Sequence, residues 1–93
     1  MTTALILIQA KRKYISQLGE KLLEIKGITE VYTITGKYDF VAIVRVKEPE
    51  KMAEIVTEDI LKLEGIKKTE TMVAFKCHSK YDLEHMFSIG LEK

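Results

Sequence analysis

The side chains best suited to recognise a small molecule stand in one run, Thr35-Gly36-Lys37-Tyr38-Asp39. Gly36 is free to take a positive φ that other residues resist, which bares backbone N–H groups to a ligand. N–H donors beside one carboxylate, Asp39, complement a small zwitterion. The same residues also describe a plain solvated turn, because turns favour Gly and Asp for backbone reasons alone. Cys77, His78 and His85 carry metal-binding atoms, but the histidines are seven positions apart, on either side of a predicted helix start. No second cysteine pair or acidic ligand stands at metal-site spacing, so these read as ordinary polar surface groups. No nucleophile lies beside a base at motif spacing, and no glycine-rich phosphate loop is present. The enzymatic alternative is a small dimer acting on a metabolite held between subunits, with His78 or Tyr38 as acid or base.

The loop joins two runs rich in β-branched and aromatic residues, Val31-Tyr32-Thr33-Ile34 and Phe40-Val41-Ala42-Ile43-Val44, the pattern of a β-hairpin. Ahead of it, Ala4-Leu5-Ile6-Leu7-Ile8 is a continuous apolar run, as in a strand buried on both faces. Ile15, Leu18, Leu22 and Ile25 recur at helical spacing until Gly27. Glu48-Pro49-Glu50 opens a second helix, with Pro in the first turn and acids near the positive dipole end. Its stripe is Met52, Ile55, Val56, Ile60 and Leu63, and Gly65 closes it. Thr69 to Cys77 alternates as a fourth strand, with Thr71 and Val73 on one side and Met72 and Ala74 on the other. Ser79-Lys80-Tyr81-Asp82 resembles a capping box for a short third helix from Lys80 to about Ile89, with Leu83, Met86 and Phe87 as apolar contacts. Residues 1–78 thus form the domain, and 79–93 a C-terminal helix or tail packing on it or on a partner.

The chain repeats itself. A shift of 38 positions lays Ala4-Leu5-Ile6-Leu7-Ile8 on Ala42-Ile43-Val44-Arg45-Val46, Leu22 on Ile60, Leu23 on Leu61, Gly27 on Gly65 and Ile28 on Ile66. Two βαβ halves predict an α+β, ferredoxin-like βαββαβ fold with a four-stranded antiparallel sheet and both helices on one face. Ala4, Ile6, Ile8, Ala42, Val44 and Val46 belong to the helix side. The other side carries Leu5, Leu7, Val41, Ile43 and Arg45, a mostly apolar patch too large for a soluble monomer. A homodimer packed sheet against sheet, an α/β barrel-like sandwich, removes it from water.

Composition narrows the partners. Ninety-three residues with a net charge of +1 give no global reason to bind nucleic acid or an anionic membrane. Lys11-Arg12-Lys13 is the only tight basic run, and Ala4–Ile8 is too short for a signal peptide or a span. RNA recognition by a sheet face requires aromatic and basic groups where Leu5, Leu7 and Ile43 stand. One cysteine excludes an intrachain disulfide and an iron–sulfur cluster, which takes about four, and suits the cytoplasm. The absence of Asn, with many Ile, Lys and Glu, hints at a thermophilic source.

Thr35-Gly36-Lys37-Tyr38-Asp39 between its two strands, with Glu64-Gly65-Ile66 at the second helix exit and Thr69-Glu70-Thr71 in the last strand, resembles the ligand-binding domain of Lrp/AsnC-type transcription regulators, also called RAM, for regulation of amino acid metabolism. The resemblance spans roughly Ala4 to Lys76. It implies dimers through the sheet faces, and rings of dimers (octamer or decamer) with amino acid effectors between neighbouring dimers near the hairpin tips. Family members place a helix-turn-helix domain first, whereas this chain begins at the first strand, so a stand-alone module is expected, with no DNA binding of its own. It would join full-length Lrp/AsnC-type regulators or serve another partner, needing no cofactor and catalysing nothing. In the site so implied, N–H groups around Gly36, Lys37 and Tyr38 hold the effector's carboxylate and Asp39 its ammonium. Thr35, Thr69 or Thr71 would add hydroxyls, and Tyr38 either lines the site or simply packs.

Overall fold

The computed structural model describes residues 1–80. The predicted third helix, His85 and the second half of the Ser79–Asp82 box lie outside the described residues. β1 (Thr2–Ala10) leads through one 3-10 turn (Arg12–Tyr14) into α1 (Ile15–Leu23), then β2 (Ile28–Thr33) and β3 (Phe40–Val46). α2 (Pro49–Glu54) continues into a π-helical turn (Ile55–Asp59), and β4 (Ile66–Ala74) completes the sheet. Strand order is β2-β3-β1-β4, every pair antiparallel. This is the ferredoxin-like arrangement, both central strands being the repeated apolar runs.

The repeat is visible in the backbone. Gly27 and Gly65, superposed by the 38-residue shift, end the two helical segments with φ of 105° and 98°. Leu22 and Ile60 are both fully buried, and their successors Leu23 and Leu61 are both more than half exposed, at 52% and 59%. Side chains directly opposite in antiparallel strands share a face. The helix face of the sheet is therefore Ala4, Ile6 and Ile8 of β1 with Ala42, Val44 and Val46 of β3, all buried against Leu18, Leu22, Met52, Ile55 and Ile60. Among the described residues, no helix covers the opposite face. There Leu5 stands between Ile43 and Met72, and Leu7 between Val41 and Glu70.

Several boundaries differ from the sequence expectation: β2 is Ile28–Thr33 rather than Val31–Ile34, and β4 ends at Ala74 rather than Cys77. β4 starts at Ile66 rather than Thr69, because the nine residues of β1 offer pairing as far as Ala10, reached through a register shift after Gln9. The second helix widens at Ile55, where the Ile60 N–H donates to the Ile55 carbonyl, five residues back, at 3.1 Å. Just there the Thr57 hydroxyl donates to the Ala53 carbonyl at 2.8 Å, a local alternative to the regular ladder. The wider turn lets Ile55 and Ile60 both face the core.

Candidate functional site at the hairpin loop

Residues 34–39 do not project into solvent as a free tip; they fold across the end of β1. The Ile34 N–H donates to the Asp39 carbonyl at 2.9 Å, closing the loop, and Gly36 turns the chain at φ 110° with open space where a Cβ would stand. The Asp39 N–H donates to the Ile8 carbonyl at 2.8 Å, and one oxygen of its half-buried carboxylate accepts the Ala10 N–H at 2.8 Å. Asp39 thus ties the hairpin mouth to the last turn of the neighbouring strand with both main chain and side chain.

Two further bonds bring the loop over the open face. The Gln9 side-chain amide donates to the Lys37 carbonyl at 3.1 Å, and the Tyr38 hydroxyl donates to the Glu70 carboxylate at 2.7 Å. The Glu70 bond favours the protonated phenol and raises the Tyr38 pKa above its ordinary value. Gln9, Lys68 and Glu70 share this face, since Gln9 is opposite Lys68 and Glu70 is opposite Leu7. The open face therefore has an apolar stretch around Leu5, Val41, Ile43 and Met72 and a polar end under the loop.

Of the residues expected at the site, Thr35 to Asp39 are together in this loop. Thr69 and Thr71 pair with Ile8 and Ile6, so they lie on the helix face of β4, opposite Glu70. Gln9, Lys68 and Glu70 escaped the sequence reading. Only the β1–β4 register sets them beside the loop, and nothing in the local pattern of β4 singles them out. Tyr14 makes a second phenol–carboxylate pair, with Glu64, which likewise raises its pKa. Elsewhere, a groove of about 500 Å³ between α1 and β2 is lined by Ile15, Gly19, Leu23, Val31, Thr33 and Phe40. Another, of about 330 Å³, lies beside Thr3, Leu5, Arg45 and Phe75. Neither includes a residue of the 34–39 loop. Among the described residues no three His, Cys, Asp or Glu side chains converge as a metal set, and no helix is long and apolar enough to cross a membrane.

The family model for the Lrp/AsnC ligand binding domain matches residues 3–82. The chain belongs to that family. It is 35% identical over 77 residues to the HTH-type transcriptional regulator FL11 of Pyrococcus furiosus, covering 83% of this chain and 50% of FL11. It thus spans about half the length of that relative. The crystal structure of TTHA0845 from Thermus thermophilus superposes with a TM-score of 0.80 at 42% identity, covering 86% of this chain and 100% of that one. The NMB0573/L-Met complex, a transcriptional regulator from Neisseria meningitidis, shares the fold at a TM-score of 0.73 and 13% identity, over 91% of this chain and 58% of that one. This is a Lrp/AsnC-type ligand-binding domain, and the curated relatives it matches are named HTH-type transcriptional regulators. Several come from Pyrococcus, in line with the thermophile-like composition.

Proposed function

We propose that this Lrp/AsnC-type domain binds a free amino acid at the polar end of its open sheet face, under the hairpin loop, and passes that binding on through self-association. The observation that carries the reading is the loop itself. Four hydrogen bonds to β1 and β4 hold it across the strand ends, with the N–H groups near Gly36, the Tyr38 hydroxyl and the Asp39 and Glu70 carboxylates in or beside it. Thr35, Gly36, Lys37, Tyr38 and Asp39 form one wall. Thr69 and Thr71, on the far face of β4, are not included.

The apolar stretch of the same face supports a homodimer through Leu5, Leu7, Val41 and Ile43, each half-buried in the single chain. Packing two copies there leaves the polar end at the rim, where dimers can meet in a ring and enclose the effector. Binding at such a contact shifts assembly by linkage, because the ring that completes the pocket is the form the ligand selects. Mixed assembly with full-length regulators in the cytoplasm is the route by which the signal reaches transcription. The test is a thermal-shift screen of the twenty amino acids, run beside light scattering. At least one amino acid should raise the melting temperature and change the assembly size. A flat response to all twenty refutes the reading.

A further inference from the structure

The helix side of the molecule carries an apolar recess of its own, apart from the open sheet face. In the groove of about 500 Å³ between α1 and β2, Val31 stands on one side, Ile15 and Leu23 on the other, and Phe40 at the floor. Val31 is opposite the buried Ala42, which places the groove on the helix face of the sheet. Gly19 gives access to the floor, since even a Cβ added there would stand 3.6 Å from the Phe40 ring. Leu23 is left 52% exposed at the rim, although water is a poor surrounding for a leucine side chain.

We propose that the chain's own C-terminal segment, residues 83–93, docks in this groove, with Leu83, Met86 and Phe87 seated against Leu23, Val31 and Phe40. The family match ends at residue 82, so the segment lies beyond the shared domain. Its sequence spaces three large apolar residues at i, i+3 and i+4, one face of a helix. A helix that short is marginal alone in water and is stabilised by laying its apolar face on a surface. The sizes agree. From Ile15 to Leu23 the groove follows α1 for about 12 Å, and Leu83 to Phe87 rises about 6 Å along a helix.

The segment also starts at the right end of the molecule. Ala74, the last residue of β4, is opposite Thr3, which in turn is opposite Arg45. The Arg45 N–H donates to the Gly27 carbonyl at 2.9 Å, so β4 ends where α1 ends, and Leu23 is the part of the groove nearest to it. Phe75, Lys76 and Cys77 share the cavity of about 330 Å³ with Thr3 and Arg45, so the chain leaving β4 turns across the sheet end towards β3 and β2. From β4 to β2 is three strand spacings, about 14 Å, and residues 75–82 reach up to about 26 Å when extended. A segment tethered that closely reaches the groove at a high effective concentration, ahead of a segment from another molecule.

The experiment attaches a nitroxide to Ser88→Cys in the full chain, with Cys77→Ser removing the native thiol, and records amide spectra before and after the nitroxide is reduced. The isotope-labelled, spin-labelled chain is diluted with unmodified, unlabelled chain, so that broadening reports contacts within one chain. The oxidised label should erase the resonances of Gly19, Leu23 and Val31 and leave those of Leu5 and Ile43 on the open face. Leu23→Ser, and separately Phe87→Ser, should restore the Gly19 and Val31 signals. Leu61→Ser, at a leucine 59% exposed outside the groove, should leave them erased. Leu23 and Leu61 are both surface positions, and dispersed amide spectra establish that each variant is folded. Broadening centred on Leu5 and Ile43, or none at any described residue, overturns the assignment. So does erasure of the groove signals that is equally strong when the nitroxide is carried only by a different, unlabelled chain, since the occupant is then a neighbour's segment.

Discussion

Replacing Asp39 by alanine removes the acceptor of the Ala10 N–H, and the structure sets the size of the effect. The bond is 2.8 Å long and part-buried, and it joins residues 29 positions apart, so no local rearrangement supplies another acceptor. Leaving such a donor unpaired costs about 1–3 kcal/mol, and partial access of water places this site in the lower half of that range. For a domain of this size about 1 kcal/mol shifts the melting temperature by roughly 4–8 °C, so Asp39→Ala should melt roughly 4–16 °C below the wild type. Asp39→Asn keeps an oxygen that accepts the same N–H without the charge and should lose less than half as much. The assay is calorimetric melting without amino acids and at one fixed protein concentration, since self-association makes the midpoint concentration-dependent. Amide exchange at Ala10 should accelerate in step. An alanine variant that melts within about 1 °C of the wild type, with Ala10 still protected, would refute the idea that Asp39 fastens the hairpin.

Four further outcomes follow from the same geometry. Leu5→Asp or Ile43→Asp places a charge in the middle of the uncovered apolar stretch, so sedimentation should show a large loss of self-association with the fold retained. Spectrophotometric titration of the tyrosines should show two phenols titrating above the ordinary value, those of Tyr14 and Tyr38, and only one of them in Tyr38→Phe. The raised pKa means that the Tyr38–Glu70 bond contributes fully below pH 10 and is lost as pH rises through the raised value. Gly36→Ala should cost about 1 kcal/mol for its positive φ alone, since nothing lies within 4 Å of the added methyl. Gly65→Ala should cost more than about 2 kcal/mol in chemical denaturation, because its methyl would collide with the Tyr14 side chain on top of the same backbone strain.

Much of the fold is legible in the residues because it is written twice. The 38-residue repeat identifies the central strands, both helix-ending glycines and the inward face, and alternation places Thr71 and Val73 opposite Met72. What escapes are features decided by pairing. The start of β4 depends on how far β1 extends, and the π-helical turn depends on a choice between neighbouring hydrogen bonds near Thr57. The site divides in the same way. Gly36, Tyr38 and Asp39 stand out as a turn with chemistry, but Gln9, Lys68 and Glu70 are ordinary surface residues until the register puts them under the loop. Asp39 shows the converse: a carboxylate in a glycine-containing turn invites a ligand role, and only the geometry reveals its bond to Ala10.

The central claim is that an amino acid binds between the hairpin loop and β4. Its most direct test is an amide-resonance titration of the isotope-labelled full chain with each of the twenty amino acids. For a binding amino acid, the resonances of Gly36, Lys37, Tyr38, Gln9 and Glu70 should move together and saturate, while those of Gly19, Leu23 and Val31 in the α1–β2 groove stay in place. Saturable shifts confined to that groove, with the loop and β4 unmoved, would contradict it.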